Sequence, residues 1–378
     1  MNITVLGGGM VGSAIARDLS FDSTFTVTVA DRDTSALQRC ESPVVLTRQA
    51  DLADEAQLHE VIAQADLVIG AVPGFMGYET LRRVINVGKN VVDISFFPED
   101  PFTLDVLARE HGVTAVMDCG LAPGLGNILM GRMNEELDEI ETFLCYVGGL
   151  PVIRRKPYEY GAVFSPVDVI EEYTRPARYI ENGVEVVRTA LSDIEEIDFV
   201  GVGTLEAFNT DGLRTLAETM TAPNMKEKTM RYPGHVALMK ALRDTGFFSK
   251  EPIEIAGQRI APLDFTAKLL FPAWQMAEGE EDLSVMRVII RGRKGDSRET
   301  HTYDLHDRYD AALGVTSMAR TTGYTCACAA RLVADGSYRH PGISPPEFLG
   351  ARGAVYDALM DGLADRGIAF THTVNAEI

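Results

Sequence analysis

Near the amino terminus the segment Gly7-Gly8-Gly9-Met10-Val11-Gly12 carries the spacing G-x-G-x-x-G. It follows an apolar run at 3–6 and opens a helical pattern at 11–20, the setting in which this spacing holds a dinucleotide. Gly7 permits the tight turn, Gly9 lets the backbone approach a pyrophosphate, and Gly12 admits close helix–strand packing. Met10 and Val11 stand at the head of the helix whose unpaired N–H groups would receive the phosphates. Asp31 lies about 20 residues beyond the glycines, at the end of the second apolar run, where a carboxylate accepts hydrogen bonds from the adenosine ribose and repels a 2′-phosphate. NAD is therefore the expected cofactor over NADP, with Arg32 placed to stack on adenine or, after rearrangement, to accommodate a phosphate. Asp51 offers an adenine contact or a helix cap, and Val72 and Pro73 follow the fourth run on the nicotinamide side.

A second group of residues has the chemistry to act on a substrate. Asp93 and Asp118 end further strands, and doubly wound sheets bind ligands outside those carboxyl ends, although aspartates there also form turns. Arg231-Tyr232-Pro233-Gly234-His235 joins a guanidinium suited to a carboxylate fork to an imidazole suited to proton transfer across a rigid turn. Arg320 is a second carboxylate anchor. His301 and His306 invite a metal reading, but their odd spacing in a strand-like stretch favours surface solvation, so no metal is expected. The acidic run 278–282 reads as a solvated turn.

The elements that must position these residues follow from periodicity. Strands are expected at 3–6, 26–30, 43–46, 67–72, 90–94 and 113–117, with helices at 11–20, 55–64, 78–87 and 101–111. Alternation of strands and helices implies an α/β fold with a Rossmann-type doubly wound parallel sheet. Beyond Gly120-Leu121-Ala122-Pro123-Gly124 the strands at 142–147 and 285–290 alternate apolar and polar residues, as half-buried antiparallel strands do. This gives a dinucleotide-binding domain over 1–121 and a second α+β domain with a mainly antiparallel sheet over 122–319. Helices at 319–333 and 351–365 and a strand at 369–374 are expected to return the chain, roughly 320–378, to the first sheet.

The length of 378 residues fits two domains. With 46% hydrophobic and 24% charged residues the chain is an ordinary globular protein. A net charge of −20 repels nucleic acid and acidic membrane surfaces, and no apolar run approaches a membrane span. The 5 scattered cysteines form no zinc or disulfide spacing, which fits a reducing cytoplasm.

Several segments carry a resemblance: the glycine turn, Asp118-Cys119-Gly120-Leu121-Ala122-Pro123-Gly124, Tyr146-Val147-Gly148-Gly149-Leu150-Pro151, Glu172-Tyr173-Thr174-Arg175-Pro176-Ala177, the Arg231–His235 stretch and Met318-Ala319-Arg320-Thr321-Thr322. In these the chain resembles the saccharopine dehydrogenase family, most closely its lysine 6-dehydrogenase branch. The resemblance implies a second domain supplying substrate and subunit contacts, and a homodimer or larger homo-oligomer. It further implies NAD-dependent oxidation of the ε-amino group of L-lysine to 2-aminoadipate 6-semialdehyde with release of ammonia. In such a reaction the ammonium, with a pKa near ~10.4, must first lose a proton. Asp118 or His235 is the expected base, Arg231 and Arg320 the carboxylate holders, and Asp93 the partner of the α-ammonium. A saccharopine-type dehydrogenase acting on a secondary amine, and a non-catalytic NAD-binding sensor, are the alternatives.

Overall fold

The computed structural model of the chain describes residues 1–277 and 279–377. It forms two compact units, Met1–Glu136 with Met318–Ala369 and Leu137–Ser317 with the chain end from Phe370.

The first unit is built on a seven-stranded sheet in the order Gly342–Ser344, Thr114–Val116, Asn90–Asp93, Leu67–Gly70, Asn2–Leu6, Thr26–Asp31, Val45–Gln49. Every pairing is parallel. The order turns back on itself between Asn2–Leu6 and Leu67–Gly70, which creates the crevice of a doubly wound sheet. Leu67–Gly70 is buried at every position, as a strand covered on both faces must be. The helix Met10–Ser20 puts Gly12, Ala14, Ile15, Ala16, Asp18 and Leu19 inward.

The carboxyl-terminal return differs in detail from expectation. The strand that joins the first sheet is Gly342–Ser344, too short for periodicity to reveal, while Thr371–Glu377 pairs with Ser297–Arg308 in the other unit. Thr371–Glu377 is exposed along its whole length, and so polar a strand has no place in a sheet covered on both sides. The first unit also continues to Glu136, past the boundary expected near 121. The helix Leu125–Glu136 packs backbone against backbone on Pro346–Gly350: a Cβ on Gly131 would stand 2.0 Å from the Glu347 carbonyl oxygen. Buried Glu347 accepts a hydrogen bond from Asn127 Nδ2 at 3.1 Å. The return is locked elsewhere by buried Asp18, which pairs with Arg331 at 2.7 Å and Arg366 at 2.6 Å.

The second unit carries a mixed nine-stranded sheet, in which the long strands Glu139–Pro151, Asp282–Lys294 and Ser297–Arg308 run antiparallel. Asn224–Arg231 lies parallel to Glu139–Pro151. The helices Pro166–Thr174, His235–Asp244 and Pro262–Trp274 contribute to an aromatic core that includes Tyr160, Tyr173, Phe208, Phe248 and Trp274. In Pro262–Trp274 the inward residues are Thr266, Leu270 and Trp274, one face of a helix at four-residue steps.

Two surface expectations are corrected here. Of the acidic run 278–282, Glu278 lies outside the described residues, but Glu280 and Asp282 are buried. Glu280 accepts from Arg155, and Asp282 accepts from the Ser317 amide at 2.6 Å. His301 is buried too, contacting His372 at 3.1 Å and Glu299 at 3.0 Å. His306 is exposed, because five positions along a strand reverse the face. Among the described residues no group of three His, Cys, Asp or Glu side chains could hold a metal ion.

Candidate functional site

In the first unit the glycine turn has the shape a dinucleotide needs. Gly7 takes φ +109°, and a Cβ there would stand 2.4 Å from the Ala71 carbonyl oxygen. At Gly12 a Cβ would come within 2.0 Å of the Gly7 carbonyl oxygen, so the helix packs directly on the turn. Gly9 is the opposite case, exposed and with nothing within 4 Å of the added carbon. Being the N-cap residue, it leaves the first turn of Met10–Ser20 without a side-chain cap, and those N–H groups are free to serve an anion. Met10 is exposed and Val11 half-buried beside it.

Asp31 ends its strand with Oδ2 accepting from the Gly8 amide at 2.7 Å and Oδ1 from the Asp33 amide at 2.9 Å. Each carboxylate oxygen keeps a further acceptor position, so the residues present fit a ribose as well as a pyrophosphate. Arg32 is exposed, buried Val72 follows Leu67–Gly70, and Pro73 is the N-cap of Gly74–Asn86. Asp51 caps no helix: Oδ1 accepts from the Ala53 amide in a local turn, and Asp54 caps Glu55–Ile62 instead.

Asp93 and Asp118 come together at the carboxyl ends of adjacent strands. Val92 pairs with Val116 in the register, and the Asp93 carbonyl accepts from the Cys119 amide at 3.0 Å. Both carboxylates are buried, each about 1% exposed. Asp93 Oδ1 accepts from the Ser95 amide at 2.7 Å. Gly70 makes room for it, since a Cβ there would fall 1.7 Å from Asp93 Oδ2. Asp118 holds φ +53°, a conformation that is uncommon outside glycine and that aspartate tolerates. Arg320, buried in Ser317–Ala334, donates from Nη2 to the Arg366 carbonyl at 2.9 Å.

The second unit holds a buried polar chain inside its aromatic core. Arg231 ends Asn224–Arg231 and is 2% exposed. Its Nη2 donates to Glu172 at 2.7 Å, Nε to the Tyr173 hydroxyl at 3.3 Å and Nη1 to the Met230 carbonyl at 3.0 Å. Its guanidinium lies 4.7 Å over the Tyr160 ring. Burial works against the Arg231 charge, but Tyr173, Tyr160 and Glu172 more than offset it and raise its pKa. Burial leaves the Glu172 carboxyl above its usual range despite the arginine beside it.

Gly234, at φ +96°, turns the chain so that His235 begins a helix pointing inward. The imidazole contacts the Tyr158 carbonyl through Nδ1 at 2.9 Å and the Tyr173 hydroxyl through Nε2 at 2.9 Å. A carbonyl only accepts, so Nδ1 carries the proton and Nε2 accepts from Tyr173. Burial, with Arg231 adding to it, pushes the His235 pKa down to about 3. The imidazole therefore sits neutral in a packed core, which corrects the expectation of a proton-transferring histidine on a closing loop. The Arg231 expectation is corrected likewise, since each of its three nitrogens already donates within the protein. Glu172, Tyr173, Tyr160 and Trp274 were not among the expected site residues. Tyr173 and Glu172 meet Arg231 across about sixty positions, which no local spacing encodes.

All 5 cysteines are buried and free, and burial pushes Cys40 and Cys328 up to about 11, away from thiolate chemistry. No helix among the described residues is long and apolar enough to cross a membrane.

A parallel doubly wound sheet with a glycine turn and an acidic second-strand terminus defines a pyridine-nucleotide-dependent oxidoreductase. Comparison with known proteins makes the assignment narrower. The family model "Saccharopine dehydrogenase NADP binding domain" matches residues 3–116, and "Saccharopine dehydrogenase C-terminal domain" matches 120–368. The chain belongs to the saccharopine dehydrogenase family, whose members act on carbon–nitrogen bonds. A saccharopine dehydrogenase [NADP(+), L-glutamate-forming] from Pyricularia oryzae is 25% identical, with 97% of each chain covered. The Synechocystis carboxyaminopropylagmatine dehydrogenase is 21% identical over 99% of this chain and 98% of its own. The fold matches an apo saccharopine dehydrogenase (L-Glu forming) from Saccharomyces cerevisiae with a TM-score of 0.80, at 22% identity and 99% coverage of both chains.

Proposed function

We propose that the chain is an NAD-dependent amino acid dehydrogenase that oxidises the ε-amino group of L-lysine to 2-aminoadipate 6-semialdehyde with release of ammonia. The observation that carries the reading is the pair of buried carboxylates, Asp93 and Asp118, ending adjacent strands at the crevice of the cofactor sheet. The dinucleotide supplies the hydride acceptor. Its pyrophosphate is held by the backbone at Gly9, Met10 and Val11, and its adenosine ribose by Asp31, whose charge favours NAD over a 2′-phosphorylated cofactor. Asp118 receives the proton of the reacting ammonium, and Asp93, held by Ser95 and packed on Gly70, orients the nitrogen. His235 already bonds the Tyr158 carbonyl through Nδ1 and the Tyr173 hydroxyl through Nε2, so neither ring nitrogen is offered to that proton. Arg320 remains a candidate for the substrate carboxylate, and Arg231 positions Tyr173 and Glu172.

NAD reduction measured with L-lysine, ornithine, cadaverine and saccharopine, at neutral and alkaline pH, tests the reading. Turnover is expected with lysine and NAD and to rise toward the amine pKa of about 10.4, with no inflection near 6.5, since His235 stays neutral throughout. Absence of turnover with every primary amine overturns it. A second reading, a saccharopine-type dehydrogenase, draws support from the full-length match to a saccharopine dehydrogenase. It requires activity with saccharopine, or with lysine plus 2-oxoglutarate in reverse, in place of lysine alone.

A further inference from the structure

The helix Pro262–Trp274 is apolar on two faces. Thr266, Leu270 and Trp274 turn inward to the second unit, while Phe265 and Leu269, one turn apart on the outer side, are 56% and 60% exposed. A helix that is apolar all round is ordinarily covered all round. Phe247, also exposed, lies beside this helix, its carbonyl accepting from Thr266 Oγ1 at 2.8 Å. The hairpin of Ile253–Ile255 and Gln258–Ile260 leads directly into the helix. On its first strand Ile253 and Ile255 share one face and are about half exposed. Large apolar side chains gathered in one short segment and open to solvent mark an interaction surface.

The charges specify what covers it. The chain carries −20 overall, so two copies repel across most of their surfaces. From Ile253 to Ala273 the ionisable side chains are Glu254, Arg259, Asp264 and Lys268, two of each sign, and all four are exposed. A face without net charge gives a nucleic acid or a strongly charged protein no electrostatic grip, yet an acidic chain can lay it against its own copy. The pattern is also complementary to itself. Asp264 and Lys268 stand one turn apart beside Phe265 and Leu269, and a two-fold axis passing between the two apolar residues turns the helix end for end. Asp264 of each copy then meets Lys268 of the other, as an isologous contact requires.

We infer that the outer face of Pro262–Trp274, with the hairpin that precedes it, docks against the same face of a second copy of this chain. Phe265 and Leu269 supply the apolar centre of the contact, and the two crossed Asp264–Lys268 pairs fix its register. The inference is independent of which amine the protein oxidises.

Sedimentation velocity and light scattering of the full-length protein test it. The wild type should have twice the mass of one chain and dissociate on dilution. Phe265→Gln and Leu269→Gln change exposed positions, so each should keep the circular dichroism of the wild type while raising the dimer Kd at least about tenfold. Asp264→Lys and Lys268→Asp each set like charges against each other twice, and each alone should be monomeric where the wild type is a dimer. Mixed in equal amounts these two variants should dimerise again, because one presents only cations and the other only anions at the paired positions. A helix merely weakened by either substitution would gain nothing from mixing. A monomeric wild type, a dimer that survives all four substitutions, or a mixture that stays monomeric overturns the proposal. Wild type that stays monomeric and co-sediments with phosphatidylcholine vesicles, where Leu269→Gln does not, gives the face to a lipid surface and likewise overturns it.

Discussion

The glycine turn of the first unit and the arginine–tyrosine–histidine chain of the second are built on opposite principles. The turn is a backbone device at the surface, made by residues that touch because they are consecutive, and Gly9 leaves space where a ligand belongs. The chain is a side-chain device in a core, in which Arg231, Tyr173, His235 and the Tyr158 carbonyl join strands and helices remote in sequence. The first is shaped to bind something from outside. The second satisfies itself, and what it lends to function is position. The difference teaches that a charged residue with the right chemistry for a substrate is often already spoken for by its own protein.

Substitutions separate the two devices. The largest effect is expected at Arg231. Arg231→Met leaves the Glu172 carboxylate buried without its partner, and breaking a buried pair costs about 3–5 kcal/mol, read as a fall in Tm and in the denaturant midpoint. Stability within about 0.5 kcal/mol of wild type would mean that the chain is not the scaffold described. Gly12→Ala should cost about 1–3 kcal/mol, because its Cβ meets the Gly7 carbonyl oxygen at 2.0 Å. Gly9→Ala, with nothing in reach of its Cβ, should keep the Tm and lose affinity for NADH. Equal melting of the two glycine variants would break the contrast.

The next effect is a pH dependence. The folded pKa of His235 lies at about 3 against 6.5 for the free side chain, so below pH 6.5 the unfolded chain takes up a proton that the folded one refuses. The stability contribution is present above pH 6.5 and is lost as the pH falls from there toward 3. At pH 5.5 the loss is about 1.4 kcal/mol. The difference in unfolding free energy between wild type and His235→Asn, followed from pH 7.5 to 5.5, should shrink by that amount. A pH-independent difference would show that the imidazole titrates freely. The smallest effect is a preference: Asp31→Ser should shift the NAD to NADP ratio of kcat/KM about tenfold toward NADP, with no change in the second unit. An unchanged ratio would remove Asp31 from the ribose site.

What the amino-acid sequence reveals on its own follows the same division. The turn, Asp31 and the parallel strands rest on local signals: glycine spacing and runs of Val, Ile and Leu. Asp93 and Asp118 can be placed at strand ends for the same reason, and the register brings them together. The second unit is legible only as alternation. The strand at 142–147 extends to Glu139–Pro151 because pairing with Asp282–Lys294 carries it past the part that alternates, while Asn224–Arg231 pairs only with 142–147. That His235 points inward depends on the left-handed Gly234 and on aromatic residues from distant segments, none of which a single stretch of chain reveals. The three-residue strand Gly342–Ser344 escapes detection for want of length, and Thr371–Glu377 joins the sheet in which its polar side chains can remain wet.

The buried Asp18 has a history written into its partners. It leaves the ribosome 313 residues ahead of Arg331 and 348 ahead of Arg366. Until both arginines have been made, the nascent cofactor unit therefore carries an unneutralised carboxylate at the place they will cover. It can close only once residue 366 has been made, so a message cut short before that point yields a protein that never completes its oldest part.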